Sequence, residues 1–208
     1  VRTEVTGGLK GVTALIAVKE RARCKTRLAG SLSDSARLEL VRSMLARVLT
    51  ASLAARTVRE TIVVSPERDQ VPAEVRVVAD AGESLNSALA QAHNVLRGFG
   101  GQELLVLPAD LPRISAADID TLVRAGRAGG FAIAPDSSGT GTNALYFASM
   151  QPFRFHFGAN SYSLHWQEAR RAGLDPVVVR LPGLAFDVDS PTDLELLGED
   201  TWLTRLRA

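Results

Sequence analysis

The sequence predicts an α/β protein: a mostly parallel sheet with helices on both faces, in three layers (α/β/α). Three observations carry this. Short apolar runs rich in β-branched residues recur along the chain with few polar interruptions, as strands buried on both faces require. Between them lie amphipathic stretches with apolar residues at helical spacing, the pattern of helices that cover such a sheet. The length, 208 residues, suits one domain at roughly 100–200 residues each.

Taken in order, residues 12–18 (VTALIAV) form the first predicted strand. A helix is expected over 34–53, where Val41, Met44, Leu45, Val48 and Leu49 share one face. Residues 61–65 (TIVVS) read as the next strand, ended by Pro66, and 75–79 (VRVVA) as another. From Ser84 to Leu96, Leu85, Ala88, Leu89, Ala92 and Leu96 repeat as one helical face. Residues 103–107 (ELLVL) are again a buried strand. Ser115 is an N-cap with Asp118 at the third helical position, ahead of a stripe of Ile119, Leu122 and Val123. Strands are expected at 131–134, 143–148 and 177–181, and a helix bearing His165 before the last of them. Ser190-Pro191-Thr192-Asp193 opens a final helix, with Pro at its first position. One domain is expected over 1–208, with 1–11 as an N-terminal tail.

Composition narrows the function. Apolar residues make up 46% and charged residues 23%, which excludes a disordered or fibrous chain. Lys plus Arg is 24 and Asp plus Glu 23, a net charge of +1, so nothing electrostatic argues for nucleic acid or an anionic membrane. No apolar run approaches the roughly 18 residues that span a bilayer. The segment VRTEVTGGLKG has no hydrophobic signal core. Cys24 is the only cysteine, so neither an internal disulfide nor a multi-thiolate zinc site is available. The expectation is a cytoplasmic protein.

In such sheets ligands collect beyond the carboxyl ends of the strands, which leaves four places to examine. After the first strand, five cations fall within nine residues from Lys19 to Arg27, an electropositive loop suited to a polyphosphate. Residues 17–26 lack glycine, so the charge must come from side chains and not from a P-loop cradle of amides. After residues 103–107, Asp110 stands between Pro108 and Pro112, a stiffly held carboxylate of the kind that takes Mg²⁺ together with phosphates. In Phe186-Asp187-Val188-Asp189, two carboxylates share one side if the chain is extended. Their repulsion falls when a cation lies near. Finally, residues 136–143 (DSSGTGTN) and 157–163 (FGANSYS) offer small polar groups and backbone amides to an anion. The competing readings are ordinary ones: a solvated basic loop, a turn aspartate, an N-capping role for Asp189 and plain loops. The histidines, His93, His156 and His165, have no metal-ligand spacing, and no nucleophile elbow is present.

Together these segments resemble the guanylyltransferases of coenzyme F-420 biosynthesis, which use 2-phospho-L-lactate, phosphoenolpyruvate or 3-phospho-D-glycerate. The carrying residues are Ile16-Ala17-Val18-Lys19 with Lys25-Thr26-Arg27-Leu28; Leu85-Asn86 with Ala88; Pro108-Ala109-Asp110-Leu111-Pro112; Gly141-Thr142-Asn143-Ala144-Leu145; Phe157-Gly158 with Ser161; and residues 186–194 (FDVDSPTDL). The resemblance covers about Leu15 to Leu197.

The resemblance implies a fold similar to nucleotide-diphosphosugar transferases. It implies that the phosphate of a small phosphorylated acid attacks the α-phosphorus of GTP and displaces pyrophosphate. By the same resemblance Lys19, Lys25 and Arg27 hold the triphosphate; Asp110, Asp187 and Asp189 hold Mg²⁺; and Thr142, Gly158 and Ser161 hold the acid. Ser65, Pro66, Leu85 and Asn86 lie near the nucleoside. Lys25, Asp110 and Asp187 are the expected catalytic set. Asn143 stands where some bacterial relatives carry a small apolar residue, which makes 3-phospho-D-glycerate a candidate acid, with His93, Asn143 and His165 as pocket-wall residues. A deazaflavin transferase is the expected recipient of the product, and a homodimer the base-rate expectation. The alternatives are nucleotidyl transfer to another cofactor or sugar phosphate, and a nucleotide-binding domain without chemistry.

Overall fold

The computed structural model describes residues 11–18, 25–66, 68, 71–73, 75–79, 84–98 and 103–198. Lys19, Cys24 and all of the expected tail except Gly11 lie outside the described residues. Seven strands form one sheet: β1 (Val12–Ala17), β2 (Val58–Ser65), β3 (Arg76–Ala79), β4 (Glu103–Pro108), β5 (Gly130–Pro135), β6 (Thr142–Phe147) and β7 (Asp175–Val178). Six α-helices among the described residues accompany them: α1 (Asp34–Ala54), α2 (Leu85–Gly98), α3 (Ala116–Gly129), α4 (Ser161–Arg171), α5 (Pro182–Ala185) and α6 (Pro191–Leu197).

The strand order is β3-β2-β1-β4-β6-β5-β7. Pairings are parallel except those of β6, which runs antiparallel to both β4 and β5. Alternation along β1 sends Ala14 and Ile16 to one face and Leu15 and Ala17 to the other. The first face packs on Leu45, Val48 and Leu49 of α1 and Ile119, Leu122 and Val123 of α3. The second packs on Ala88, Leu89 and Leu96 of α2, Ala169 of α4 and an aromatic group of Phe131, Phe147, Phe153 and Phe155. Ser115 and Ser190 each close a capping box, with Asp118 and Asp193 respectively.

Three elements depart from expectation. β2 starts at Val58, because Arg59 and Glu60 are exposed and so broke the apolar run. β7 lies earlier than 177–181; it pairs only with β5 at the sheet edge and carries Pro176, which an edge tolerates. The single turn α5 had no periodicity to announce it.

The chain leaves β1 for β2 and β3, then returns to place β4 on the other side of β1. That reversal is a topological switch point, where the loops diverge and leave a crevice. Ala17 and Pro108 are register partners at its two lips. A third, smaller cluster stands beside it: Leu28, Leu40, Val41 and Met44 pack with Val188, Leu194 and Leu197. Each such side chain contributes about 1.5–3 kcal/mol when buried. The cluster therefore pins the 3₁₀ turn Thr26–Leu28 against the segment that carries Asp187 and Asp189. No helix among the described residues is long and apolar enough to cross a membrane.

Candidate active site

Lys25, Asp110 and Asp189 meet at the switch point. Lys25 Nζ donates to Asp110 Oδ2 at 2.6 Å and to Asp189 Oδ1 at 2.8 Å. The ammonium side chain is only 7% exposed, against 26% for Asp110 and 55% for Asp189. Local structure accounts for each position. Lys25 takes a left-handed backbone conformation (φ 51°) ahead of the 3₁₀ turn. Asp110 follows the end of β4 between two prolines. Val188 is buried in the third cluster, which presents its neighbours Asp187 and Asp189 to the crevice. Arg113 adds to this: its guanidinium lies 4.3 Å over the ring of Phe186 and donates to Leu196 O at 2.7 Å. Sequence reasoning missed Arg113, although it directly follows Pro112.

The electrostatics are those of an anionic site with a built-in counterion. Burial alone would lower the Lys25 pKa, but Asp110 and then Asp189 outweigh it, and the net shift is upward. Asp187 is pushed up to about 6, first by burial and then by Asp110, with the Asn143 amide acting against this. Three carboxylates thus face one ammonium, and the surplus negative charge suits a hard cation. Among the described residues no group of three or more His, Cys, Asp or Glu side chains forms a ready metal cage. Magnesium fits such a donor set, because it takes one or two carboxylates, phosphate oxygens and water.

The second half of the site lies where β6 begins. The β5–β6 ladder slips between Ala134 and Pro135: Ala134 faces Ala144 and Pro135 faces Thr142. Asn143 is left without a cross-strand partner, and such bulges re-aim side chains. Asn143 Nδ2 donates to Asp187 Oδ1 and to Ala185 O, both at 3.3 Å. Thr142 Oγ1 lies 3.0 Å from His165 Nδ1. Tyr162 N–H donates to Thr140 O at 3.0 Å, so the two small-residue segments noted in the sequence are joined. Gly158 has φ 130°, a conformation that other residues rarely adopt.

Asn86 belongs to the same region. Its Oδ1 accepts from Phe157 N–H at 2.8 Å and its Nδ2 donates to Phe157 O at 3.0 Å. One side-chain amide thereby holds the peptide groups just before Gly158. Ser161 is buried at the first position of α4, its N–H bonded to Gly158 O at 3.2 Å.

The remaining expected residues are more dispersed. Ser65 and Pro66 sit at the carboxyl end of β2 and Leu85 at the start of α2. Arg27 is exposed. His93 is 1% exposed, with its ring 6.2 Å from Phe147 and 5.8 Å from Phe155. Burial lowers its pKa to about 4, and its surroundings are aromatic core. His165, 0% exposed, has both ring nitrogens engaged, since Nε2 accepts from His156 N–H at 2.8 Å. The alternation Phe153-Arg154-Phe155-His156-Phe157 could have revealed the extended segment that carries this bond.

Comparison with known proteins identifies the fold and the family. In overall fold the chain is similar to CMP:2-keto-3-deoxy-manno-octonic acid synthetase complexed with CTP (TM-score 0.59, 14% identity, 95% of this chain and 100% of the other). It is likewise similar to 4-diphosphocytidyl-2C-methyl-D-erythritol synthase from Anaerococcus prevotii (TM-score 0.61, 13% identity, 94% and 97%). At the sequence level it is 40% identical to a phosphoenolpyruvate guanylyltransferase of Sphaerobacter thermophilus, over 88% of this chain and 91% of that protein. A phosphoenolpyruvate guanylyltransferase of Rubrobacter xylanophilus is 38% identical, over 89% and 93%. The family model described as "Guanylyl transferase CofC like" matches residues 12–204, and the chain belongs to that family of nucleotidyltransferases.

Proposed function

We propose that this chain is one nucleotidyltransferase domain that moves GMP from GTP to phosphoenolpyruvate, in coenzyme F-420 biosynthesis. The observation that carries the reading is Lys25 Nζ between Asp110 and Asp189 at the carboxyl ends of β1 and β4. Phosphoenolpyruvate is preferred among the candidate acids because the relatives at 38–40% identity are named for it. The Asn143 amide nitrogen is spent on Asp187 and Ala185, so it gives no reason to favour a hydroxylated acid. The reaction belongs in the cytoplasm, with a deazaflavin transferase consuming the product and a homodimer as the assembly.

In the reaction a phosphate oxygen of the acid bonds to the α-phosphorus of GTP, and the bond from that phosphorus to the β-phosphate bridging oxygen breaks. Pyrophosphate leaves with the electron pair. A phosphate monoester is largely dianionic at neutral pH, so no base is needed. The residues must instead bring two anions together. Lys25, with Lys19 and Arg27, neutralises the triphosphate. Ser65, Pro66 and Leu85 border the nucleoside, Thr142, Gly158 and Ser161 orient the acid, and Asn86, expected at the nucleoside, holds the Phe157 peptide groups beside Gly158. Asp110 and Asp187, with Asp189, are the residues that would hold Mg²⁺. When bound, the ion would draw charge from the phosphate oxygens and so stabilise the leaving group. Donors fixed in advance at such a centre are worth about 10²–10³ in rate.

The test is pyrophosphate release with GTP and Mg²⁺ against phosphoenolpyruvate, 2-phospho-L-lactate, 3-phospho-D-glycerate and 2-phospho-D-glycerate. Turnover with phosphoenolpyruvate is expected. Preferential turnover with another of the acids corrects the acceptor. Silence with all four, in a protein that still binds GTP, overturns the reading.

A further inference from the structure

The hydrogen bonds around His165 determine more than its position. Its Nε2 accepts the His156 N–H at 2.8 Å, and a ring nitrogen that accepts carries no hydrogen. The one hydrogen of the neutral imidazole is therefore on Nδ1. The other tautomer would set two donors against each other, and so would the charged ring. Burial keeps the ring neutral, with its pKa lowered to about 3. Nδ1–H accordingly donates to Thr142 Oγ1, 3.0 Å away. A hydroxyl has a single hydrogen, and here that hydrogen is not used on His165. Thr142 keeps it for another acceptor.

We infer that His165 is a positioning residue: it sets Thr142 as a hydrogen-bond donor and ties that donor to the backbone at His156, two residues before Gly158, so that an anion-recognising arc exists before the acid arrives. This rests on the reading of Thr142 and Gly158 as acid contacts. The reverse polarity would be unproductive, because a Thr142 hydroxyl donating to the ring would turn only lone pairs to a carboxylate or phosphate. Aromatic contacts fix the ring plane: Phe157 meets it edge-on at 4.8 Å between centroids and Phe153 stacks at 6.1 Å. Asn86 holds the same backbone from the other side. Two side chains from distant parts of the chain therefore preset one segment, which lowers the ordering cost of binding.

Two measurements test this. The first is ¹⁵N NMR of the histidine rings in the full, unmutated chain at neutral pH. The Nδ1–H tautomer is expected for His165; an Nε2–H or charged ring overturns the inference. The second is steady-state kinetics of Thr142→Val, His165→Phe and His165→Asn, with the doubles. Thr142→Val should raise the KM for the acid about tenfold while the KM for GTP stays within about twofold. His165→Phe should do the same, yet add less than about twofold in the Thr142→Val background. His165→Asn keeps a donor on the Nδ1 side and should recover most of the loss. If the two substitutions multiply in full, or if both substrates' KM values rise and kcat falls together, His165 does not act through Thr142. A normal acid KM in Thr142→Val removes Thr142 from the acid site and the inference with it, whatever the tautomer.

Discussion

Lys25 Nζ lies 2.6 Å from Asp110 Oδ2, although 85 positions separate them in the chain. Parallel pairing of β1 with β4 is what closes that gap, since Ala17 and Pro108 are register partners and each loop leaves from its strand's carboxyl end. The ammonium stands where incoming phosphates need positive charge, and it keeps Asp110 and Asp189 from repelling one another meanwhile. Lys25→Met is expected to lower kcat/KM by about 10²–10³-fold in the pyrophosphate-release assay. A loss under tenfold in a folded variant would remove Lys25 from the chemistry.

Asn86 is predicted to act on the acid through Phe157. Substituting alanine leaves the Phe157 N–H and C=O without their partner, at a cost of about 1–3 kcal/mol. Thermal or denaturant unfolding of Asn86→Ala should show that loss. The KM for the acid should rise more than the KM for GTP, because the freed peptide adjoins Gly158. An effect confined to GTP would instead assign Asn86 to the nucleoside.

Much of this site was legible in the sequence and part was not. Two carboxylates on one side of an extended segment pointed to Asp187 and Asp189, and the strand-end rule to Lys25 and Asp110, because continuous apolar runs mark buried strands and their ends are countable. Neither could find the partners of Asn86, Asn143 and His165. Those depend on a ladder slip between Ala134 and Pro135, which has no periodicity, and on a coil at residues 151–157, whose alternation marks an extended segment but not what it bonds to. Asn143 read as a polar pocket wall because the resemblance set it beside Thr142, where some bacterial relatives carry a small apolar residue. Regular alternation would set it beside Leu145 and Phe147, and only the slip lets it reach Asp187.

Acid should destabilise the protein through its buried histidines. His93 and His165 have pKa values lowered to about 4 and about 3, each first by burial. Between those values and the ordinary 6.5 the unfolded chain binds more protons than the folded one, so stability falls as pH falls. Each ring contributes a slope of about 1.4 kcal/mol per pH unit in that window. Asp187, raised to about 6, has the opposite sign, since its folded form takes a proton first. The clean measurement is the difference between the wild type and His93→Leu in urea titrations. The variant should gain relative stability steadily as pH drops from about 6.5 to about 4, and a pH-independent difference would show His93 to be titrating normally.

Gly126 should reverse a familiar rule. Glycine within a helix normally costs about 1 kcal/mol against alanine, so Gly126→Ala on α3 would ordinarily stabilise. Here a Cβ would run into the ring of fully buried Tyr146 and approach Ala132 Cβ to 2.9 Å. Tyr146 sits in β6, between β4 and β5, and cannot retreat without moving the sheet. The expected result is a loss of about 1–3 kcal/mol, the usual range for overpacking, read from the urea midpoint at constant m-value.

Asn143→Ala discriminates between two uses of one side chain. If the amide lines the acid pocket, its removal changes the relative rates on phosphoenolpyruvate and 3-phospho-D-glycerate. If its work is the bond to Asp187 Oδ1 and Ala185 O, its removal loosens a carboxylate needed with every acid. The geometry supports the second use, because Nδ2 is committed on both counts and lies on the carboxylate side of the bulge. The expected outcome is a fall in kcat of about tenfold with each acid, the scale of losing a hydrogen bond to a charged group, and an unchanged ratio between acids. The same variant should need more Mg²⁺ for half-maximal rate, since Asn143 holds Asp187 in the orientation from which it would bind the ion. A changed ratio with normal Mg²⁺ dependence would return Asn143 to the pocket wall.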